Sequence, residues 1–394
     1  VPGWHSDRSA RPNLVWLEVT PLRLRRRQVL GLGLLALGLP LAGCDKAPLA
    51  VGFVGGLTGH AADLGIGGRD GALLAVEQVN QQGGLGGAAV TMHEFDDQHQ
   101  PATLAALIAT VKQSGVVAVV GPMTSSVALA WIPLANQAQL LTLSPTVTSS
   151  AFTGQDDYFF RVSSDARSYA RTSATTYTQD LGLRRFAVAL DETNAAYTHN
   201  WHKHFAEVVQ EHGGEVVSAL GFGLPNSPPL ADLVQQSLAS KPDALVVIAS
   251  ASDTARLAQL VRKLKSPLPI MAAEWSATDQ LLMLGGSAVE GLLIAQFMDR
   301  QNQSPDYLRF VADFQKRFGR VPGFAEVAAF DAMRVLLESL AQRQAGESVK
   351  ACLLRIRQFK GLQQSVVFDA FGDSSRHVVI TEVRGGQYQV REKP

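Results

Sequence analysis

Cysteine is almost missing from this sequence: Cys44 and Cys352 are the only two in 394 residues. One pair is the most they could form, so a disulfide framework is excluded. A surplus of charge is missing too, since Lys plus Arg and Asp plus Glu both number 35. Nothing in that balance suggests a nucleic-acid surface. The charge is uneven, however. Residues 1–44 hold six Arg against Asp7 and Glu18, and removing these from the two totals leaves 29 basic and 33 acidic groups, net −4. Long apolar runs are lacking: Val29–Leu41 falls short of the about 20 residues that an ordinary membrane-spanning helix needs. No low-complexity linker divides the chain. No G-x-S-x-G elbow is present, and no catalytic set is visible. "GIGGRDG" (65–71) and "GLGG" (84–87) do not make G-x-G-x-x-G opening a helix directly after a strand; glycine-rich turns suffice for them.

What is present begins with a leader. Arg23, Arg25, Arg26 and Arg27 precede the apolar run, which ends in Ala42, Gly43 and Cys44. A basic segment, a short apolar core and small residues before a cut describe an export signal over 1–43. The four residues "LAGC" (41–44) resemble a bacterial lipobox, which implies that Cys44 is lipidated and becomes the mature N-terminus, with 44–47 as a short tether. The alternative is a signal that happens to end near a cysteine. Asp45 resembles the residue that keeps some lipoproteins on the inner membrane. Arg26-Arg27 is compatible with twin-arginine export, although a basic segment alone explains it equally well. Residues 1–18 look unlike a signal, so the expected translation start is Val19. Cys352 sits in a helical pattern, "VKACLLRIRQF", and is expected to pack as a small buried hydrophobe without a disulfide.

From residue 50 onward, short apolar runs alternate with amphipathic stretches. Strands are expected at 50–57, 88–97, 116–122 and 140–145, with helices at 67–84, 101–115 and 125–139 between them. Pro133 should kink the last helix by removing the bond to the carbonyl of Leu129. After a break near 155–180 the alternation resumes from "RRFAVAL" (184–190) to "GLLIAQF" (291–297). Helices at 305–319 and 325–343 then follow without a strand between them, and a strand-rich tail over 364–390 closes the chain. Strands apolar on both faces, alternating with helices, indicate two mostly parallel α/β sheets.

Several stretches, in order, resemble the branched-chain amino-acid-binding (Leu/Ile/Val-binding) family, the type I periplasmic solute-binding proteins of ABC importers. They include "GALLAVEQVNQQGGLGG" (71–87), "FDDQHQP" (95–101), "VVAVVGPMTSS" (116–126), "LTLSPTVTSS" (141–150), "YFFRVSSD" (158–165), "IMAAEW" (270–275) and "VVFDAFGD" (366–373). The resemblance covers essentially the whole mature chain. It implies two α/β lobes, each a mostly parallel sheet flanked by helices, with a ligand cleft between them. One lobe would be 48–164 plus 297–360, the other 165–296 plus 361–394, closing by a hinge motion. It implies no enzymatic activity and no cofactor. The implied partners are a small amino-acid-like ligand, permease and ATPase subunits, and the periplasmic side of the inner membrane through the anchor at Cys44.

An α-amino acid makes separate demands for its carboxylate and its ammonium. Hydroxyls and free N–H groups at a helix start suit the carboxylate. "GPMTSSV" offers Ser125 and Ser126 there, and "SPTVTSS" presents Thr146 and Thr148 at the end of the next strand. Open α/β sheets bind ligands at such strand ends. Taken singly, Ser126 could only cap its helix and Thr148 only close a turn. Glu274 follows the apolar strand "LPIMAA" and would face the cleft from the second lobe. By resemblance, Ser125, Thr146 and Thr148 match the family's carboxylate and ammonium contacts and Glu274 its acidic ammonium contact; Asp165 is a second acidic candidate. Leu64 and Ser250 stand where better-known relatives carry Tyr, Tyr197 keeps a third aromatic, and Trp275 is either a substitute wall or core. The side-chain pocket therefore departs from a Leu, Ile or Val binder more than the backbone clamp does.

Rival constellations are thin. His199, His202 and His204 lie close together, but their spacing, with no supporting Cys or acidic residue, reads as a helix face before a zinc site. Two further functions remain open: a ligand-sensing or regulatory lipoprotein of the same fold, such as an amide-type sensor or a cell-wall synthase activator, and a zinc-dependent enzyme.

Overall fold

The computed structural model of the chain describes residues 46–59 and 62–391. The expected export signal and Cys44 lie outside the described residues. The first series runs β1 (Lys46–Gly55), α1 (Ala62–Gln81), β2 (Ala88–Asp96), α2 (Leu104–Gln113), β3 (Val119–Val120), α3 (Ser125–Gln137), β4 (Thr142–Ser144) and β5 (Phe159–Arg161). Its strands form one sheet in the order β2-β1-β3-β4-β5, parallel throughout.

The second series is α4 (Ala166–Thr175), β6 (Arg185–Asp191), α5 (Ala195–Glu211), β7 (Glu215–Phe222), α6 (Leu230–Ala239), β8 (Ala244–Ile248), α7 (Ala251–Lys263), β9 (Ile270–Ala272), α8 (Asp279–Gly285) and β10 (Leu293–Gln296). Then come α9 (Pro305–Phe318), α10 (Phe324–Gln342), α11 (Val349–Ile356), the short antiparallel pair β11 (Gln358–Phe359) and β12 (Val366–Val367), and finally β13 (Val379–Arg384) and β14 (Gln387–Val390). The second sheet has the order β14-β13-β10-β9-β8-β6-β7. It is parallel except where β13 pairs with β10 and β14. Every residue of β8 is buried, as expected of a strand covered by helices on both faces. The two mostly parallel α/β sheets expected from the alternating pattern are present, in the two-lobed arrangement that the resemblance implies.

After β10 the chain returns to the first sheet. α10 lies so close along α1 that a Cβ on Gly71 would sit 2.2 Å from the Glu326 carbonyl oxygen. Only glycine permits that approach. Arg320 bridges the two helices, pairing with Asp70 at 2.8 Å and also with Glu326. Cys352 on α11 is fully buried, as expected of a small hydrophobe, and its thiol donates to the Ser339 carbonyl of α10 at 3.2 Å.

The chain thus passes between the sheets three times, at 162–165, 297–304 and 368–378. Arg376 joins all three passages. Its Nε donates to the Val162 carbonyl at 2.6 Å, its backbone N–H donates to Ser164 Oγ at 2.6 Å, and its guanidinium lies 4.8 Å above the Phe297 ring. Its Nη1 pairs with Asp331 of α10 at 2.9 Å, with side chains 1% and 0% exposed. Burial raises the Asp331 carboxyl against the opposing pull of Arg376.

Some local expectations change. The break near 155–180 contains α4, whose sequence ARSYARTSAT is too polar to show an apolar stripe. α3 runs on through Pro133; Leu129, whose carbonyl the proline cannot satisfy, is exposed. In the tail expected to be strand-rich over 364–390, the strands are Val366–Val367, Val379–Arg384 and Gln387–Val390.

Candidate functional site

The site forms where the carboxyl ends of β3, β4 and β9 meet the start of α5. β3 is followed at once by Gly121-Pro122, and Gly121 has φ +120°, with its missing Cβ 1.9 Å from the Val54 carbonyl oxygen. No other residue fits there, so the chain turns at once into α3. Thr124 is the N-cap of α3, which places Ser125 and Ser126 in the first turn, where backbone N–H groups lack intrahelical acceptors. Asn194 takes one of these: its Oδ1 accepts from the Ser126 N–H at 3.0 Å, while Ser126 Oγ accepts from the Ala196 N–H at 3.2 Å. These two bonds tie the first lobe to the start of α5. Ser125 Oγ accepts from the Ser149 N–H at 3.3 Å.

Beyond β4, Thr146 Oγ1 donates to the Met123 carbonyl at 2.6 Å and Thr148 Oγ1 to Glu274 Oε1 at 3.3 Å. Glu274 opens the short turn after β9. Its other oxygen accepts from Trp201 Nε1 of α5 at 3.0 Å. Burial pushes its carboxyl up to about 7, and the bonds from Trp201 and Thr148 only partly oppose that rise. Tyr197 stands edge-on to Trp275, with ring centroids 6.0 Å apart. Its buried hydroxyl lies beside Glu274 without a hydrogen bond of good geometry, and burial with the nearby carboxylate holds its pKa far above the usual tyrosine value.

Two small cavities flank Glu274. The first, about 20 Å³, brings together Leu64, Ser125, Thr146, Thr148, Tyr197, Glu274 and Trp275. Met123, Thr124, Asn194 and Phe324 complete its lining. The second, also about 20 Å³, shares Thr146, Thr148, Glu274 and Phe324 with the first and adds Ser163, Tyr169, Gln296 and Phe297. Each has room for about one water, so the lobes are closed on each other here. Ser126 faces instead a wider outer chamber of about 590 Å³, which Thr124, Asn194 and Trp275 also line.

Two expected residues lie elsewhere. Ser250 is the buried N-cap of α7, accepting from the Asp253 N–H at 3.3 Å. Asp165 caps α4 through the Ser168 N–H at 3.1 Å. The histidines do not converge: His199 meets Glu192 at 2.7 Å, whereas His204 bridges Ser150 and Glu207. Among the described residues no group of three or more His, Cys, Asp or Glu could hold a metal ion.

Sequence reasoning missed Asn194, Trp201, Phe324 and Gln296. Asn194, just before α5, had a usable signal as a polar residue at a helix start. Phe324 and Gln296 had none, because the crossings of the chain bring them in.

Two sheets with opposed strand ends, closed over a polar buried carboxyl, define a two-lobed ligand-binding protein. The periplasmic binding protein family model matches residues 48–387, and the chain belongs to that family, whose members are binding proteins and not enzymes. It is 31% identical to the Leu/Ile/Val-binding protein BraC3 of Rhizobium johnstonii, over 30% of this chain and 32% of that protein. The match therefore spans about a third of that relative's length. The structure is similar to the branched-chain amino acid transporter substrate-binding protein LivJ of Streptococcus pneumoniae, solved with isoleucine. The TM-score is 0.80 at 20% identity, covering 88% of this chain and 100% of that one. It is also similar to a solute-binding protein of an ABC transporter from R. palustris, solved with benzoate, with a TM-score of 0.77 at 20% identity, covering 87% and 95%. These likenesses establish the type I periplasmic binding protein fold.

Proposed function

We propose that this protein is the extracytoplasmic solute-binding component of an ABC importer, catching an amino acid or a related small polar ligand between its lobes. Its lobes would be 48–164 plus 297–360 and 165–296 plus 361–394, its membrane tether a lipid on Cys44, and its partners the permease and ATPase subunits. The observation that carries this reading is Glu274: a buried carboxyl at a strand end, enclosed with the hydroxyls of Ser125, Thr146 and Thr148. Glu274 would take the ligand's ammonium. The first turn of α3, with Ser125 and the loop of Thr146 and Thr148, would take its carboxylate. Trp275, Tyr197 and Leu64 would wall the side chain. The similarity to a Leu/Ile/Val-binding protein supports an amino acid as the ligand.

Calorimetry on the purified chain, unfolded and refolded to strip ligand, tests this against the twenty amino acids, their amides and benzoate. An amino acid should bind, and Glu274→Gln should weaken it by about ten- to a hundredfold, the worth of a hydrogen bond to a charged group. Binding of benzoate alone, or of nothing in that set, would refute the amino-acid assignment.

A further inference from the structure

Gln296, the last residue of β10, carries an unpaired polar atom in the wall of the second cavity. The residue is 1% exposed, and its Oε1 is buried with no hydrogen-bond partner. The orientation of the amide is fixed by its neighbour. Thr381 Oγ1 has a single proton, which it donates to the Ile294 carbonyl at 3.1 Å. It can therefore only accept from Gln296, and does so from Nε2 at 2.6 Å. With Nε2 committed to β13, Oε1 is left without a partner, and Gln296 lines the cavity together with Glu274, Thr148 and Tyr169.

A buried acceptor left unpaired is costly, so one in a native structure calls for a reason. The cavity next to it contains a carboxyl, Glu274, which also calls for hydrogen-bond donors. Two acceptor-bearing side chains lining one small space ask for a ligand head with diverging N–H groups. An aliphatic side chain placed there would leave both unmet.

We infer that Gln296 is a ligand-contacting residue that selects, together with Glu274, a nitrogen head bearing at least two N–H donors, one for each side chain. This rests on the reading above that the site takes an amino-acid-like ligand. It adds that N,N-dialkylation, which leaves the ammonium a single N–H, is penalised. Gln296 is then a specificity residue, and Thr381 a positioning residue that holds its amide the right way round.

The test pairs L-leucine, L-alanine and L-threonine with their N,N-dimethyl derivatives in calorimetric titrations of the wild-type chain, Gln296→Met and Thr381→Val. Gln296→Met keeps length but removes the acceptor. It should weaken the best-bound primary amine about tenfold or more and leave its N,N-dimethyl partner nearly unchanged, collapsing the discrimination. Thr381→Val, which alters no residue lining either cavity, should reduce the same discrimination by freeing the amide to flip. If Gln296→Met does not fold, unchanged discrimination in Thr381→Val overturns the inference. Wild-type discrimination in Gln296→Met overturns it as well, and would mean that water alone fills the space. Should no amino acid bind, the amino-acid reading falls, and methylammonium against tetramethylammonium becomes the probe. Trp201 fluorescence reports on it, since its indole is bonded to Glu274. An equal response of wild type and Gln296→Met to methylammonium would then overturn the inference.

Discussion

Ligand affinity should depend on pH through Glu274 alone. The carboxyl sits at about 7 instead of 4.5 because burial disfavours its charge. A cationic head binds the ionised form, so in acid each binding event must first expel a proton. The apparent dissociation constant then scales as one plus ten raised to the pKa minus the pH. With a pKa of about 7, that factor is roughly 1.1 at pH 8 and roughly 11 at pH 6, an approximately tenfold loss, or about 1.4 kcal/mol.

No other group facing this carboxyl competes in that range. Tyr169 and Tyr197 are pushed far above it, and Trp201 and Thr148 do not titrate there. The unliganded fold should show the opposite slope. Its pKa is raised above the unfolded value, so the folded state holds the proton more tightly. That stability is present in full below about 4.5 and is lost as pH rises through about 7, amounting to about 3 kcal/mol. Calorimetry in buffers of different ionisation heat should count about half a proton released at pH 7 and nearly one at pH 6. Affinity constant between pH 8 and 6, or a profile unchanged in Glu274→Gln, would refute the reasoning.

Three further outcomes are expected. Gly71→Ala should cost about 1–3 kcal/mol in denaturant unfolding, because its Cβ meets the Glu326 backbone at 2.2 Å and drives α1 from α10. Asp331→Ala strands the buried Arg376 guanidinium and should cost about 3–5 kcal/mol by the same assay; a loss under 1 kcal/mol would mean that the pair is dispensable. Cys44→Ser should abolish incorporation of labelled palmitate and leave an uncleaved precursor, whereas normal processing would remove the anchor from the proposal.

Much of the candidate site was legible because it obeys a positional rule. Ser125, Thr146, Thr148 and Glu274 each follow an apolar run closely, and ligands gather at the carboxyl ends of parallel strands. Ser250 and Asp165 sit at similar boundaries, yet both spend their side chains on capping a helix. A polar residue at a strand-to-helix junction can do either, and sequence does not separate the two. Trp201 was hidden among "HNWHKH", where only its indole N–H, aimed at a carboxyl 73 residues away, gives it a role. α4 escaped notice because it is packed through alanines and one tyrosine instead of a stripe of large apolar residues.

The convergence of three chain passages on Arg376 has a mechanical consequence. Three independent strings would let two bodies slide, twist and bend, whereas strings knotted at one point leave them chiefly a pivot. Relative movement of the two sheets should turn about Arg376, its guanidinium stacked on Phe297 and bonded to Val162 and Asp331 and its backbone bonded to Ser164. A displacement too small to notice at the fulcrum becomes a wide swing at the rim. A lesion there would change how fast the jaws part without altering a single atom that touches the cargo.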